Sequence, residues 1–362
     1  MARKRTVAVE GTVVVTEHVS RLLKDNPLGD PHVRKLTVWL PAQYEQSSRR
    51  FPVLYDLVGF TGAGPAHLNW KAFSENLGER LSRLIYERKM PPVIVVLADC
   101  FTALGGNQYI NSSAIGPYAD YLTREIVPFV DRKFRTLASR EHRGCFGKSS
   151  GGYGAMLHGM KYADTWGAIA SHSGDAYFDF VYRSDWPDTL NELAKHRRPA
   201  LKAGRYKPLD HAGLARGYDD GRVRRFLQAI WNKPKLSSGE VMALMNLAMA
   251  ASYDPHPKAP LGFRLPANLE TGEWIEANWA RWRAHDPVHL VAQHKAALRS
   301  LRAIYIDCGY RDQYQIHYGS RLVAQRLREA RIEHRYEEFD DDHSDVDYRM
   351  DISLPVLAKA LA

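Results

Sequence analysis

The sequence predicts an α/β fold: a mostly parallel central sheet flanked by helices, with a large and mainly helical insertion. Three observations carry that expectation. Short apolar runs alternate with segments of helical periodicity, the rhythm of parallel strands joined by crossover helices. Near the middle, from His142 to Met156, a small-residue strand passes through Gly147-Lys148-Ser149-Ser150-Gly151 into a close-packed helix. The rhythm then stops near residue 176 and resumes at Asp286-Pro287. The chain therefore reads as a core of residues 1–175 and 286–362 around an insertion of residues 176–285, far longer than an ordinary loop.

Taken in order, Val7 to Thr16 alternates in short β-rich runs, Asn26-Pro27-Leu28-Gly29-Asp30-Pro31 supplies turn chemistry, and Val33 to Leu40 alternates again. This predicts an antiparallel pair at a sheet edge. Phe51 to Val58 reads as a third strand, left through the loop Gly59-Phe60-Thr61-Gly62-Ala63-Gly64-Pro65. A helix through Phe73, Leu77, Leu81, Leu84 and Ile85 follows, then an apolar strand from Val93 to Leu97. The next helix has Pro117 near its first turn and Leu122, Ile126 and Val130 on one face. Ala168 to Ser173 is the strand after the serine motif. Inside the insertion, Val223 to Trp231 and Ser238 to Ala251 read as helices between loops rich in proline and charge. The core then resumes with a helix through Leu298, a strand from Ala303 to Asp307, a helix from His317 to Ala330, a strand from Glu333 to Phe339 and a last helix ending near Leu361.

Composition bounds the function. With 362 residues, 45% of them hydrophobic and 25% charged, the chain can bury a large core. Its 50 Lys and Arg against 41 Asp and Glu give a net charge of +9, but the basic residues are scattered among acids and form no block. Nucleic acid is therefore not the expected partner. Arg3, Lys4 and Arg5 precede an apolar run broken by Glu10, Gly11, Thr16 and Glu17, so no signal-peptide core is read there. No stretch approaches the ~18 apolar residues of a membrane span. The expected compartment is the cytoplasm. Three widely spaced cysteines, Cys100, Cys145 and Cys308, agree, and each reads as a small buried hydrophobe near a strand end.

The serine motif is where chemistry is expected. A nucleophile held at a strained strand-to-helix turn needs glycine two residues to either side, because a side chain there collides with strand or helix. Such a serine needs a base and an acid to orient it, in the chain order Ser, Asp or Glu, His. Asp312 follows the strand from Ala303, and His343 follows the next strand in Asp340-Asp341-Asp342-His343-Ser344. Both therefore fall on loops at strand C-termini, the edge where open α/β sheets build their sites. Two backbone N–H groups should form the oxyanion hole, one from Ser150 and one from Phe60 in the loop after the third strand. The acids around His343 raise the alternative of a cation site, but no second His lies at zinc spacing. His172 is expected to pack at a strand end, and Asp307 to stay within its strand.

These residues resemble the putative-esterase (esterase D-like) family of α/β-hydrolases, which includes S-formylglutathione hydrolases, enterochelin-type esterases and feruloyl esterases. The resemblance covers about residues 33–175 and 286–361. It rests on Val53 to Gly62, REIVPFVDRKF from Arg124, GKSSGGYGA from Gly147, DCGYRDQY from Asp307 and DDDHSDVDY from Asp340. It implies an α/β-hydrolase fold with Ser149, Asp312 and His343 as catalytic triad and Phe60 and Ser150 as oxyanion donors. The oxyanion loop reads LVGFTGAG where many members carry His-Gly, and it lacks the cysteine of the S-formylglutathione hydrolases.

The sequence thus points to a serine hydrolase that cleaves a small-molecule carboxylic ester through an acyl-enzyme on Ser149, with no cofactor or metal. Acyl transfer through the same acyl-enzyme is the enzymatic alternative, and a noncatalytic binding module of the same fold is the other. The insertion mixes Trp186, Tyr206, Phe226 and Trp231 with many Arg and Lys residues. It is expected to cap the pocket, with a homodimerisation arm as the alternative.

Overall fold

The computed structural model describes residues 10–197 and 220–362. Arg3, Lys4, Arg5, Val7 and Tyr206 lie outside the described residues. The chain forms β1 (Thr12–Val19), β2 (Val33–Leu40), β3 (Val53–Leu57) and β4 (Ile94–Ala98), then a small ribbon of β5 (Asn111–Ser112) and β6 (Gly116–Pro117). It continues with β7 (Arg143–Lys148), β8 (Ala168–His172), β9 (Ala303–Gly309) and β10 (Arg335–Phe339). Among the described residues one eight-stranded sheet runs in the order β1-β2-β4-β3-β7-β8-β9-β10. β1 pairs with β2, and β2 with β4, in antiparallel fashion; every other pairing in this sheet is parallel.

The central strands are buried at every position because helices cover both faces. Alternation along β7 sends Cys145 to one face and Phe146 to the other. Phe146 joins Leu54, Leu81, Leu97 and Leu357 in a core under α1 (Leu77–Tyr86) and the last helix, Met350–Leu361. Cys145 joins Tyr55, Ile169, Met156 and Leu122 in the larger core on the opposite face.

Phe73, read as part of a helix, is instead 100% exposed and precedes it. The reason is a capping box: the Asn76 side chain accepts from Glu79 N at 2.9 Å, and Glu79 Oε2 accepts from Asn76 N at 3.0 Å. This satisfies the first free amides and sets the helix start at Leu77. The helical run after Pro117 comprises α2 (Tyr118–Asp120), a π-helical stretch Tyr121–Ile126, and α3 (Val127–Lys133). Pro128 has no N–H to offer Arg124 O, a cause for widening the winding there.

α4 (Ser150–Lys161) follows β7 directly. Between β8 and β9 lie α5 (Phe178–Val181), α6 (Trp186–Ala194) and the helices Arg222–Ile230, Ser238–Tyr253 and Glu276–Arg283, with no strand of the large sheet among the described residues. Tyr253 packs on Tyr153 of α4 and on Phe178, with ring centroids 5.8 and 4.9 Å apart. Among the described residues no helix is long and apolar enough to cross a membrane.

Candidate active site

Ser149 sits between β7 and α4 at φ 58°, ψ −124°, a strained backbone conformation for a residue with a side chain. Two glycines make the turn sterically feasible. A Cβ on Gly147 would lie 2.2 Å from Leu57 O, and one on Gly151 only 1.7 Å from the same atom. Ser149 N donates to His172 O at 2.9 Å, tying the turn to β8. The Ser149 hydroxyl makes no hydrogen bond among the described residues.

Asp312 and His343 come from the loops after β9 and β10. His343 Nδ1 lies 2.8 Å from Asp312 Oδ2, with the two residues 9% and 3% exposed. Asp312 Oδ1 accepts from Tyr314 N at 2.9 Å, while Cys308 Sγ approaches Oδ2 at 3.7 Å. A carboxylate on Nδ1 holds the proton there and leaves Nε2 as the basic nitrogen. The Tyr314 ring meets the imidazole edge-on at 4.9 Å, and His343 N donates to Gln313 Oε1 at 3.0 Å.

Asp307 belongs to a different histidine. His172 Nδ1 is 2.7 Å from Asp307 Oδ1, and His172 Nε2 is 2.8 Å from Ser353 Oγ. Arg349 Nε and Tyr305 Oη donate to Asp307 Oδ2, each at 2.9 Å. Burial opposes ionisation of this carboxyl, but His172 and Arg349 outweigh it and hold its pKa below the usual carboxylate value. Asp307, His172 and Ser353 are each at most 2% exposed.

Phe60 follows Gly59, whose backbone approaches Ser149: a Cβ on Gly59 would stand 3.6 Å from Ser149 Cβ. Two bonds fix this loop, Gly62 N to Gly59 O and Gly106 N to Phe60 O, both 2.9 Å. The Phe60 N–H has no acceptor among the described residues, and Ser150 opens α4, where the leading amides lack helical acceptors. Lys148, between the strand and the serine, is half-buried, and burial depresses its pKa despite nearby Asp347 and Asp345.

The acids near His343 disperse. Asp340 pairs with Arg311 at 2.8 Å, Asp341 accepts from Tyr348 Oη at 2.9 Å, and Asp347 pairs with Lys71. No group of three or more His, Cys, Asp or Glu among the described residues is arranged to hold a metal ion. Cys100, Cys145 and Cys308 are all buried and free; Cys100 follows the end of β4, Cys145 lies within β7 and Cys308 is next to last in β9.

One cluster was not visible in the sequence. Asp175, just past β8 and 4% exposed, accepts at Oδ2 from Tyr182 Oη at 2.7 Å and Gln108 Nε2 at 3.0 Å, with Ser150 Oγ at 3.5 Å. Gln108 Nε2 also reaches Tyr253 Oη at 2.7 Å. Burial raises the Asp175 pKa, against the hydrogen bonds of Gln108 and Tyr182 and the charge of His343. The position of Asp175 after a strand C-terminus is the one signal that marks it; nothing local marks Gln108.

A mostly parallel sheet with a serine on a strained turn after a central strand, and an Asp–His pair on later loops, defines the α/β-hydrolase fold. The chain belongs to the putative esterase family, whose sequence model matches residues 31–355. Esterase MT1326 of Mycobacterium tuberculosis is 33% identical over 147 residues, 39% of this chain and 29% of that protein. The protein YbbA of Bacillus subtilis is 23% identical over 164 residues, covering 40% of this chain and 58% of its own length. The chain thus spans under a third of the mycobacterial relative and just over half of the other. A solved ferulic acid esterase superposes with a TM-score of 0.58 at 18% identity, covering 98% of this chain and 99% of that one. An S-formylglutathione hydrolase from Agrobacterium tumefaciens gives 0.56 at 18% identity, with 99% and 98% covered. FphF of Staphylococcus aureus, described as a fluorophosphonate-binding serine hydrolase, gives 0.54 at 15%, with 98% and 100% covered. At these identities the likeness is one of fold.

Proposed function

We propose that the protein hydrolyses a carboxylic ester through an acyl-enzyme on Ser149. The observation that carries this reading is the buried Asp312–His343 pair, 2.8 Å apart, on the sheet edge that also presents Ser149 at φ 58°. His343 Nε2 takes the proton from Ser149 Oγ as that oxygen attacks the ester carbonyl. The oxyanion that forms is met by the N–H groups of Phe60 and Ser150. His343 then gives the proton to the departing alcohol, and water repeats the sequence in reverse to free the acid. Asp312 holds the imidazole in the useful tautomer and stabilises its charged form.

Residues 176–285 act in this reading as a cap. Support comes from Tyr182 and Tyr253, whose hydroxyls lie 3.0 and 2.7 Å from Gln108 Nε2, in the cluster that meets Ser150. The three buried free thiols fit a reducing compartment, so the cytoplasm is the proposed location. The test is labelling with a fluorophosphonate probe alongside turnover of p-nitrophenyl esters. Labelling and turnover that both vanish in Ser149→Ala support the assignment; either one surviving in the folded variant defeats it.

A further inference from the structure

Asp175 is a buried carboxyl with one oxygen spoken for and one free. Oδ2 accepts from Tyr182 Oη, Gln108 Nε2 and, more weakly at 3.5 Å, Ser150 Oγ. Oδ1 makes no hydrogen bond among the described residues, and unlike Gln108 Oε1 it is not sealed from solvent. Oδ2 alone ties the insertion to the core, so Oδ1 is left as an acceptor that water or a bound donor can meet.

The surroundings keep this oxygen in place. Gln108 and Tyr109 both adopt positive φ, 59° and 57°, which is strained for such residues. The strain is held by Tyr109 Oη bonding Val58 O at 2.7 Å and by Tyr109 N bonding Asn107 Oδ1 at 2.9 Å. It delivers the Gln108 amide to Asp175. On the other side, Gly174 packs against Gly152 of α4: a Cβ on Gly152 would come within 2.8 Å of Gly174 Cα. Asp175 is thus fixed against the first turn of the helix that begins at Ser150, within electrostatic reach of His343. Asp185 acts on this region only through its charge, which reaches Tyr314, the ring packed on His343; its own unpartnered Oδ2 is sealed from solvent. Unpaired donors of this region, the Trp186 and Trp282 ring N–H groups, are sealed from solvent.

We propose that Asp175 is a specificity-determining residue whose free Oδ1 accepts a hydrogen bond from a hydroxyl or amine that the substrate carries close to its scissile ester. The inference rests on the reading of Ser149 as nucleophile, and it narrows the substrates to esters of hydroxy or amino acids, or of polyols. A plain alkyl ester leaves Oδ1 unpaired when it displaces water from the site, whereas a donor in that position replaces the lost water.

The test is kcat/KM on two matched pairs, p-nitrophenyl butyrate against p-nitrophenyl 3-hydroxybutyrate and ethyl benzoate against 2-hydroxyethyl benzoate. The first pair places the donor on the acyl side and the second on the alcohol side. The hydroxylated member of one pair should be favoured by about 10- to 100-fold, the range of one hydrogen bond to a charged group. Asp175→Asn turns an N–H outward while keeping the shape, and should bring that ratio to within about twofold. Fluorophosphonate labelling of Ser149 in the variant reports that the site is still assembled. Equal rates within both pairs in the wild type, or a preference that persists in Asp175→Asn, overturn the inference while leaving the esterase reading intact. Absence of labelling and of turnover on every substrate in the wild type brings down both.

Discussion

Asp312 and Asp307 stand on one strand and the loop that leaves it, yet they face different histidines: Asp312 meets His343 at 2.8 Å and Asp307 meets His172 at 2.7 Å. Strand geometry separates them. Asp307 is held inside β9, where its side chain meets His172 of β8, Tyr305 of its own strand and Arg349 just before the last helix, while Asp312 lies past Gly309 in the loop that leaves the strand. Asp312→Asn should lower kcat by about 10⁴, because an amide favours the wrong imidazole tautomer. Asp307→Asn should leave turnover largely in place and cost about 3 kcal/mol of stability by stripping a charge from a buried pair. Steady-state kinetics and denaturant midpoints of the two variants decide; a folded but inactive Asp307→Asn beside a fully active Asp312→Asn would exchange their roles.

Ser149, the proposed nucleophile, sits at a strained φ of 58°. Ser149→Ala should reduce ester turnover by roughly 10⁴- to 10⁶-fold without opening a core cavity. Ser149→Gly should be equally inactive but more stable than the alanine variant by about 1 kcal/mol, since glycine relieves the positive φ. Thermal midpoints of the two variants measure the difference, and an alanine variant as stable as the glycine one would remove strain from the account.

Two glycines near the serine should respond in opposite ways. Gly151→Ala places a methyl 1.7 Å from a backbone oxygen of β3, so the variant should lose more than about 4 kcal/mol or fail to fold. A Cβ on Gly59 finds its nearest atoms at 3.5 and 3.6 Å, and Gly59→Ala should fold normally. Circular dichroism melts of the two proteins make the comparison; a folded Gly151→Ala would mean that the turn can widen.

His158 offers a pH-dependent stability. Its Nδ1 accepts from Trp166 Nε1 at 2.9 Å, and its Nε2 donates to Tyr109 O at 2.8 Å, a pairing that suits only the neutral ring. Burial lowers its pKa from 6.5 to about 4. A folded-state pKa below the unfolded one means that the stabilisation is full above pH 6.5 and is lost as pH falls toward 4. The loss amounts to about 3 kcal/mol over that window. His158→Gln should flatten the acid side of the stability profile between these limits; a parallel profile would acquit His158.

How much of this was legible follows from how each feature is encoded. The elbow is a local pattern, so Gly147, Ser149 and Gly151 announce it within a few residues. Asp312 is readable because the apolar run of β9 shows where that strand ends, whereas β10 is a polar edge strand, Arg335–Phe339, and His343 is read from the strand-helix rhythm around it. The cluster of Gln108, Asp175, Tyr182 and Tyr253 takes its members from four separate segments, and no spacing along the chain pairs them. His172, Asp307 and Ser353 are hidden for the same reason. The start of α1 was misplaced because Phe73 continues the apolar periodicity, while the cap that ends it, Asn76 with Glu79, is a polar signal.

On the proposed assignment, residues 176–285 divide the working parts of the site along the chain. Ser149, Phe60 and Ser150 come before residue 176, and Asp312 and His343 come after residue 285. A nascent chain that has emerged only as far as the insertion would carry a strained serine with no base to activate it. Competence would arrive late in synthesis, when β9 seats beside β8 and β10 beside β9. The same arrangement makes the protein a natural two-piece reporter: fragments parted within residues 176–285 would each be silent, and ester turnover would read out their reunion.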